Sequence, residues 1–117
     1  MDDSDNARRV HAERARVEAR IDELAESLAG IVAASEAANL DDEHDPEGAT
    51  VGFERAQVSA LLADARARLA ELDAARARVH DGVYGVCERC GQPIAPARLD
   101  AQPATRVCIV CASERRS

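Results

Sequence analysis

The feature that most constrains this chain is a pair of apolar runs that mirror one another. In the first, large apolar residues recur as Val10, Val17, Ile21, Leu24, Leu28 and Ile31, at spacings of seven and then alternately four and three. In the second they recur as Val51, Val58, Leu62, Ala65, Leu69, Leu72 and Val79. Each run is the a/d seam of a coiled coil. In an antiparallel pair of helices, facing residues have position numbers with a constant total. That total is 89 for Val10 with Val79, Val17 with Leu72, Leu24 with Ala65 and Ile31 with Val58. It is 90 for Ile21 with Leu69, Leu28 with Leu62 and the seam-breaking pair Arg14 with Arg76. Seven matched layers predict one long helical hairpin folded near position 44 or 45, with arms on the order of 40 Å at the rise of an α-helix.

Composition agrees with a thin seam rather than a thick core. The chain has 117 residues and is 46% hydrophobic, but 25 residues are Ala and the only aromatics are Phe53 and Tyr84. So few large side chains build helix on helix and little more. The start MDDSDN has no apolar stretch of the secretory kind, and no run approaches membrane-spanning length, so a cytoplasmic, non-membrane protein is expected. In that compartment four cysteines point to metal rather than disulfides.

Charge is unevenly placed. Residues 1–86 hold 10 Arg against 19 acids, and residues 87–117 hold 5 Arg against 3 acids. The densest spot is DDEHDPE, Asp41 to Glu47, with five carboxylates and a histidine in seven residues. The mirrored seam puts it at the hairpin bend. Asn39 reads as a helix end, Asp45 as an N-cap and Pro46 as a first helical residue. Asp45 and Glu47 would complement the dipole of the second helix. Asp41, Asp42 and Glu43 have no such use at the end of the first, so the cluster reads as a negative tip that enters something.

The second arm should stop near His80, where Asp81-Gly82 and Gly85 supply a stop and a joint. Beyond it lies CERCGQPIAPARLDAQPATRVCIVC. Cys87 and Cys90 form one CxxC and Cys108 and Cys111 another, with 17 residues between Cys90 and Cys108. Two such turns supply the tetrahedral four-sulfur set that zinc prefers. Gly91 permits the positive-φ turn that such knuckles use. Pro93, Pro96 and Pro103 predict short ribbon strands and turns between the pairs, and a short helix is expected after Cys108. A segment this small lacks apolar burial to hold itself, whereas zinc binding of roughly 10–16 kcal/mol can organise it. Four protein ligands leave no open position, so the zinc is expected to be structural. His11, His44 and His80 are expected to be exposed.

The expected architecture is therefore mainly α. Residues 1–7 form a flexible start and residues 8–80 an antiparallel coiled-coil hairpin with its acidic tip at 41–49. Residues 81–117 form a C4 zinc-ribbon-like module ending in a short helix.

A helical hairpin followed by this module resembles the DksA/TraR family of C4 zinc-finger transcription factors. The resemblance rests on Tyr84-Gly85, Cys90-Gly91, Ile94, Arg98-Leu99, Ala101, Pro103 and the closing CxxC. It implies binding to RNA polymerase, with the hairpin tip entering the secondary channel so that acidic residues approach the catalytic magnesium. The family's Asp-x-x-Asp-x-Ala tip falls, without gaps, on His44, Glu47 and Ala49, with Asp45 beside His44. A shifted register uses Asp42, Asp45 and Glu47. Relatives that respond to ppGpp carry basic residues where this chain has Glu71, Gln102 and Ala112, so weak or absent ppGpp dependence is expected.

Two other readings stand beside this one. A zinc-stapled helical adaptor or oligomerisation protein could use the Ala-rich outer faces, and a Gre-like factor could use the acidic tip to stimulate transcript cleavage. An autonomous enzyme is not expected, since no nucleophile–base set or phosphate-cradling loop is present. Sequence-specific DNA binding is not expected either. Arg89, Arg98, Arg106, Arg115 and Arg116 carry no interleaved stacking aromatics, and they are expected to touch a protein partner or solvent.

Overall fold

The structure, a computed structural model, describes residues 3–39 and 47–115. Helix α1 runs Asp3–Asn39 and helix α2 runs Glu47–His80. Two short helices follow, α3 at Pro96–Ala101 and α4 at Ile109–Arg115. The architecture is the long helical hairpin, cysteine module and short final helix that the seam and the CxxC pairs predict. Alanine, glutamate and arginine dominate both long helices, all strong helix formers, and neither contains proline. Residues 3–7, expected as a flexible start, are the first turns of α1. Residues 40–46, including Asp42, His44 and Asp45, lie outside the described residues, as does Arg116.

The chain divides into two compact units, Met1–Arg16 with Leu69–Ser117 and, separately, Val17–Arg68. The sequence suggested a start, a hairpin and a zinc module in succession. The observed division differs because each long helix contributes to both units.

In the Val17–Arg68 unit, Leu24, Leu62 and Ala65 are buried together, with Ile21, Ala25, Leu28 and Val58 packed against them. These are the predicted layers Leu24 with Ala65 and Leu28 with Leu62. Phe53, three-quarters exposed, takes no part in that core.

In the other unit the fully buried helix residues are Val10, Leu72 and Ala75. The sequence assigned Arg76 to the seam opposite Arg14. The structure instead buries Ala75, leaves Arg76 exposed and turns the Arg14 guanidinium to Asp73, with Nε donating to Oδ1 at 2.7 Å. Both 75 and 76 fit a three–four spacing after Leu72, and burying alanine avoids desolvating a charge.

Helix α2 stops by a double backbone closure. The Val83 N–H donates to the Arg78 carbonyl at 3.0 Å and the Gly82 N–H to the Val79 carbonyl at 3.1 Å. Gly82 holds φ 76°, the left-handed conformation that this Schellman stop requires. Arg78 and His80 place basic groups in the last turn, where the helix dipole favours them.

Between the CxxC pairs the fold departs from the expected ribbon. Among the described residues the only strand-like pairing is an isolated antiparallel bridge, Val86 with Pro93. Pro96 does not end structure but starts it, as a first-turn residue of α3 whose missing N–H needs no partner. Helix α3 exists to bury Leu99, which is 2% exposed.

Candidate metal centre

Each cysteine is delivered by a different local device. Cys87 lies inside a loop whose two sides are joined by Cys87 N–H to the Gln92 carbonyl at 2.8 Å and Ile94 N–H to the Gly85 carbonyl at 2.8 Å. Cys90 follows in the turn that this loop closes. There the Gly91 N–H donates to the Cys87 carbonyl at 2.9 Å, with Gly91 at φ 75° as its position after the second thiol predicts. Cys108 immediately precedes α4, and its carbonyl accepts from Ala112 N–H at 3.0 Å. Cys111 sits on the inward face of α4 and is buried, while Ile109 and Val110 on the other face are exposed.

The four sulfurs all lie within 4.8 Å of one another. The Cys90 and Cys108 Sγ atoms are 3.8 Å apart. A zinc–sulfur distance of about 2.3 Å in tetrahedral geometry sets sulfur–sulfur edges of ~3.8 Å. Geometry and donor chemistry both fit, so the set is positioned to bind one zinc ion. With all four sulfurs supplied by the protein, a bound ion would have a structural role, and Cys87, Cys90, Cys108 and Cys111 would hold it between the Cys87–Cys90 loop and the start of α4.

Electrostatics separate the four thiols. Burial disfavours the Cys87 thiolate, but the backbone N–H groups of Cys108, Cys90 and Arg89 outweigh it and bring the thiol down to about 6. Burial pushes Cys111 up, and the crowding sulfurs of Cys108, Cys87 and Cys90 add to it, reaching about 12. For Cys90, the Gln92 backbone N–H favours the thiolate, yet the neighbouring Cys87 sulfur and burial together raise it. Four thiolates this close repel, and a divalent cation relieves that repulsion.

A polar shell braces the site, and the sequence did not reveal it. The Tyr84 hydroxyl donates to the Pro103 carbonyl at 2.8 Å. Arg98 donates from Nε to the Val107 carbonyl at 3.0 Å, and Arg78 from Nη2 to the Ala104 carbonyl at 3.2 Å. Burial and the nearby Arg106 charge lower the Arg78 pKa, against the pull of Glu88 and Glu71. Arg106 reaches Glu71 and Glu88, each at 3.4 Å, and Arg89 reaches the Cys111 carbonyl at 3.4 Å. Arg98 thus departs from the expectation by turning to carbonyls of its own chain, while Arg89 and, in part, Arg106 face solvent as expected and also reach a carbonyl and two carboxylates of their own chain. Carbonyl-rich loops with few regular strands need such side-chain donors. The one available sequence signal was the excess of arginine over acid in this segment.

Of the expected tip, only the helical backbone of Glu47 and Ala49 falls within the described residues, in the first turn of α2. His11 and His80 are exposed as expected, and His44 lies outside the described residues. No helix among the described residues is long and apolar enough to cross a membrane.

A helical hairpin carrying a four-cysteine zinc module defines a C4 zinc-finger protein. Residues 82–116 match the prokaryotic dksA/traR C4-type zinc finger, so the module that carries the four cysteines is similar to that family's. A protein of Aquifex aeolicus without assigned function is 50% identical over 48 residues, covering 41% of this chain and 33% of its own length. The RNA polymerase-binding transcription factor DksA of Caulobacter vibrioides is 48% identical over 44 residues, covering 38% of this chain and 31% of its own length. The matched segments thus span about a third of these curated relatives. The structure of transcription factor DksA2 from Pseudomonas aeruginosa shares the fold, with a TM-score of 0.81 at 22% identity, over 97% of this chain and 82% of that one.

Proposed function

We propose that this chain is a transcription regulator that binds RNA polymerase and works by inserting its acidic hairpin bend into the enzyme's secondary channel. The observation that carries this reading is the joint presence of a dksA/traR zinc finger and five carboxylates packed into Asp41–Glu47, between α1 and α2. The name of the Caulobacter relative supports polymerase as the partner. A concentrated negative group acts on a magnesium-centred site, and on the basic side chains around it, by direct Coulombic interaction. In this reading Cys87, Cys90, Cys108 and Cys111 hold the zinc, and Asp42, His44, Asp45, Glu47 and Ala49 form the working tip. Glu71, occupying a position where ppGpp-responsive relatives are basic, is engaged by Arg106, which favours weak or absent ppGpp dependence.

The test is retention of the zinc-loaded chain on purified core polymerase, followed by abortive-initiation assays with Asp45→Ala/Glu47→Ala. The expected result is a double variant that still binds and no longer alters initiation. A double variant that regulates like the parent overturns the mechanism, and shortening of transcripts in stalled complexes would replace it with cleavage stimulation.

A further inference from the structure

The Val17–Arg68 unit carries an apolar face that extends from the edge of its core, at Ala25, Leu28 and Leu62, onto exposed positions of α1 such as Ala29 and Ala33. Ala25, Ala29, Val32 and Ala33 of α1 recur at helical spacing beside the seam, and with Leu28 and Leu62 they line an open groove of about 530 Å³. Glu36 and Arg66 line the same groove. Neither makes a hydrogen bond or ion pair among the described residues.

The positions of these two charges identify an occupant. Leu24, Leu62 and Ala65 share one buried cluster with Leu28 packed against it, and the mirrored positions of the two helices put Arg66 level with about position 23 or 24 of α1. Glu36 lies roughly 18 Å further along that helix. The groove therefore ends in a cation at one side and an anion at the other, with alanine between. A twofold axis near Ala29 would bring Glu36 of one copy onto Arg66 of the other, and the reverse, with no second protein needed to supply the complementary pattern. Alanine adds only a methyl group, so two helices can approach at the short end of the 8–10 Å range.

We propose that this face is a self-association surface, on which a second copy of the chain docks groove to groove in antiparallel fashion. The face is small, so the dimer is weak and concentration-dependent rather than obligate. The proposal does not rest on polymerase binding, and a second copy seated on this face would have to leave before the hairpin entered a channel.

Sedimentation velocity on the full zinc-loaded chain tests it, from ~10 µM to ~1 mM, the span in which small interfaces associate. The expected result is a reversible monomer–dimer equilibrium. Ala29→Arg, at an exposed helical position, should leave the circular dichroism unchanged and abolish the dimer. Glu36→Arg or Arg66→Glu alone places like charges together and should lower the association constant about tenfold, while the two combined restore it. A monomer at every concentration overturns the proposal, as does a dimer indifferent to Ala29→Arg or a double reversal that fails to restore. A chain that stays monomeric but loses polymerase retention with Ala29→Arg also overturns it, and gives the groove to polymerase.

Discussion

The Tyr84 hydroxyl donates a hydrogen bond to the carbonyl oxygen of Pro103 across 19 residues of chain, at 2.8 Å and out of water. It joins the strand-like entry of the zinc module to the segment that leads into the second cysteine pair. The bond is made where the backbone cannot help itself, because the Pro103 carbonyl lies outside any helix or ladder.

Tyr84→Phe leaves that carbonyl without its donor. The expected cost is about 1–3 kcal/mol, seen as a lower unfolding midpoint of the zinc-loaded protein. Zinc stoichiometry should stay at one, since no sulfur moves. An unchanged midpoint would show that the bond contributes nothing net.

The same residue provides a pH test. Burial raises the Tyr84 pKa above its ordinary value, with the Arg9 and Arg78 charges pulling the other way. A raised phenol favours the neutral form in the fold, so its stabilising contribution is complete below pH ~10 and is lost as pH rises through the folded pKa. Tyr84 is the chain's single tyrosine, which makes phenolate absorbance a direct reading. The midpoint should lie above that of free tyrosine and return to it after unfolding. A folded-state midpoint at or below the free value contradicts the assigned burial.

Arg9 meets Asp100 through Nε and Nη2, both at 2.8 Å from one carboxylate oxygen, and so ties α1 to α3. Asp100 is largely exposed, so solvent screens the pair. Asp100→Ala is expected to cost ~1 kcal/mol or less, and less again at high salt. A larger loss in a double-mutant cycle with Arg9→Ala would mean that the pair acts as a buried one.

The seam assignment makes a paired prediction. Ala75→Leu forces a larger side chain into a fully buried position and should destabilise by about 1–3 kcal/mol. Arg76→Ala, one residue on and exposed, should stay within ~0.5 kcal/mol of the parent. Equal effects in chemical denaturation would place the seam between the two residues.

Zinc removal should separate the module from the hairpin. Cys111→Ser, or a strong chelator, is expected to lower zinc occupancy and unfold residues 82–116 while most helical circular dichroism remains, because apolar layers hold the long helices. Ligand thiols must lose protons to bind, so occupancy should fall as pH falls. Retention of full module protection in hydrogen exchange after chelation would refute a structural zinc.

The sequence by itself determined the two long helices, the stop at His80 and the four thiols of one metal site. Those features follow from periodicity and short-range spacing, which are properties of neighbours along the chain. It did not determine the choice between Ala75 and Arg76, helix α3, the inward use of Arg78 and Arg98, or the partners of Arg89 and Arg106. Each of those depends on which carbonyls and carboxylates arrive beside a side chain from distant positions, as when Arg106 meets Glu71. Only the folded approach of those segments decides whether an arginine faces solvent or satisfies its own backbone, because the cost of leaving a polar group unpaired arises once water has been displaced.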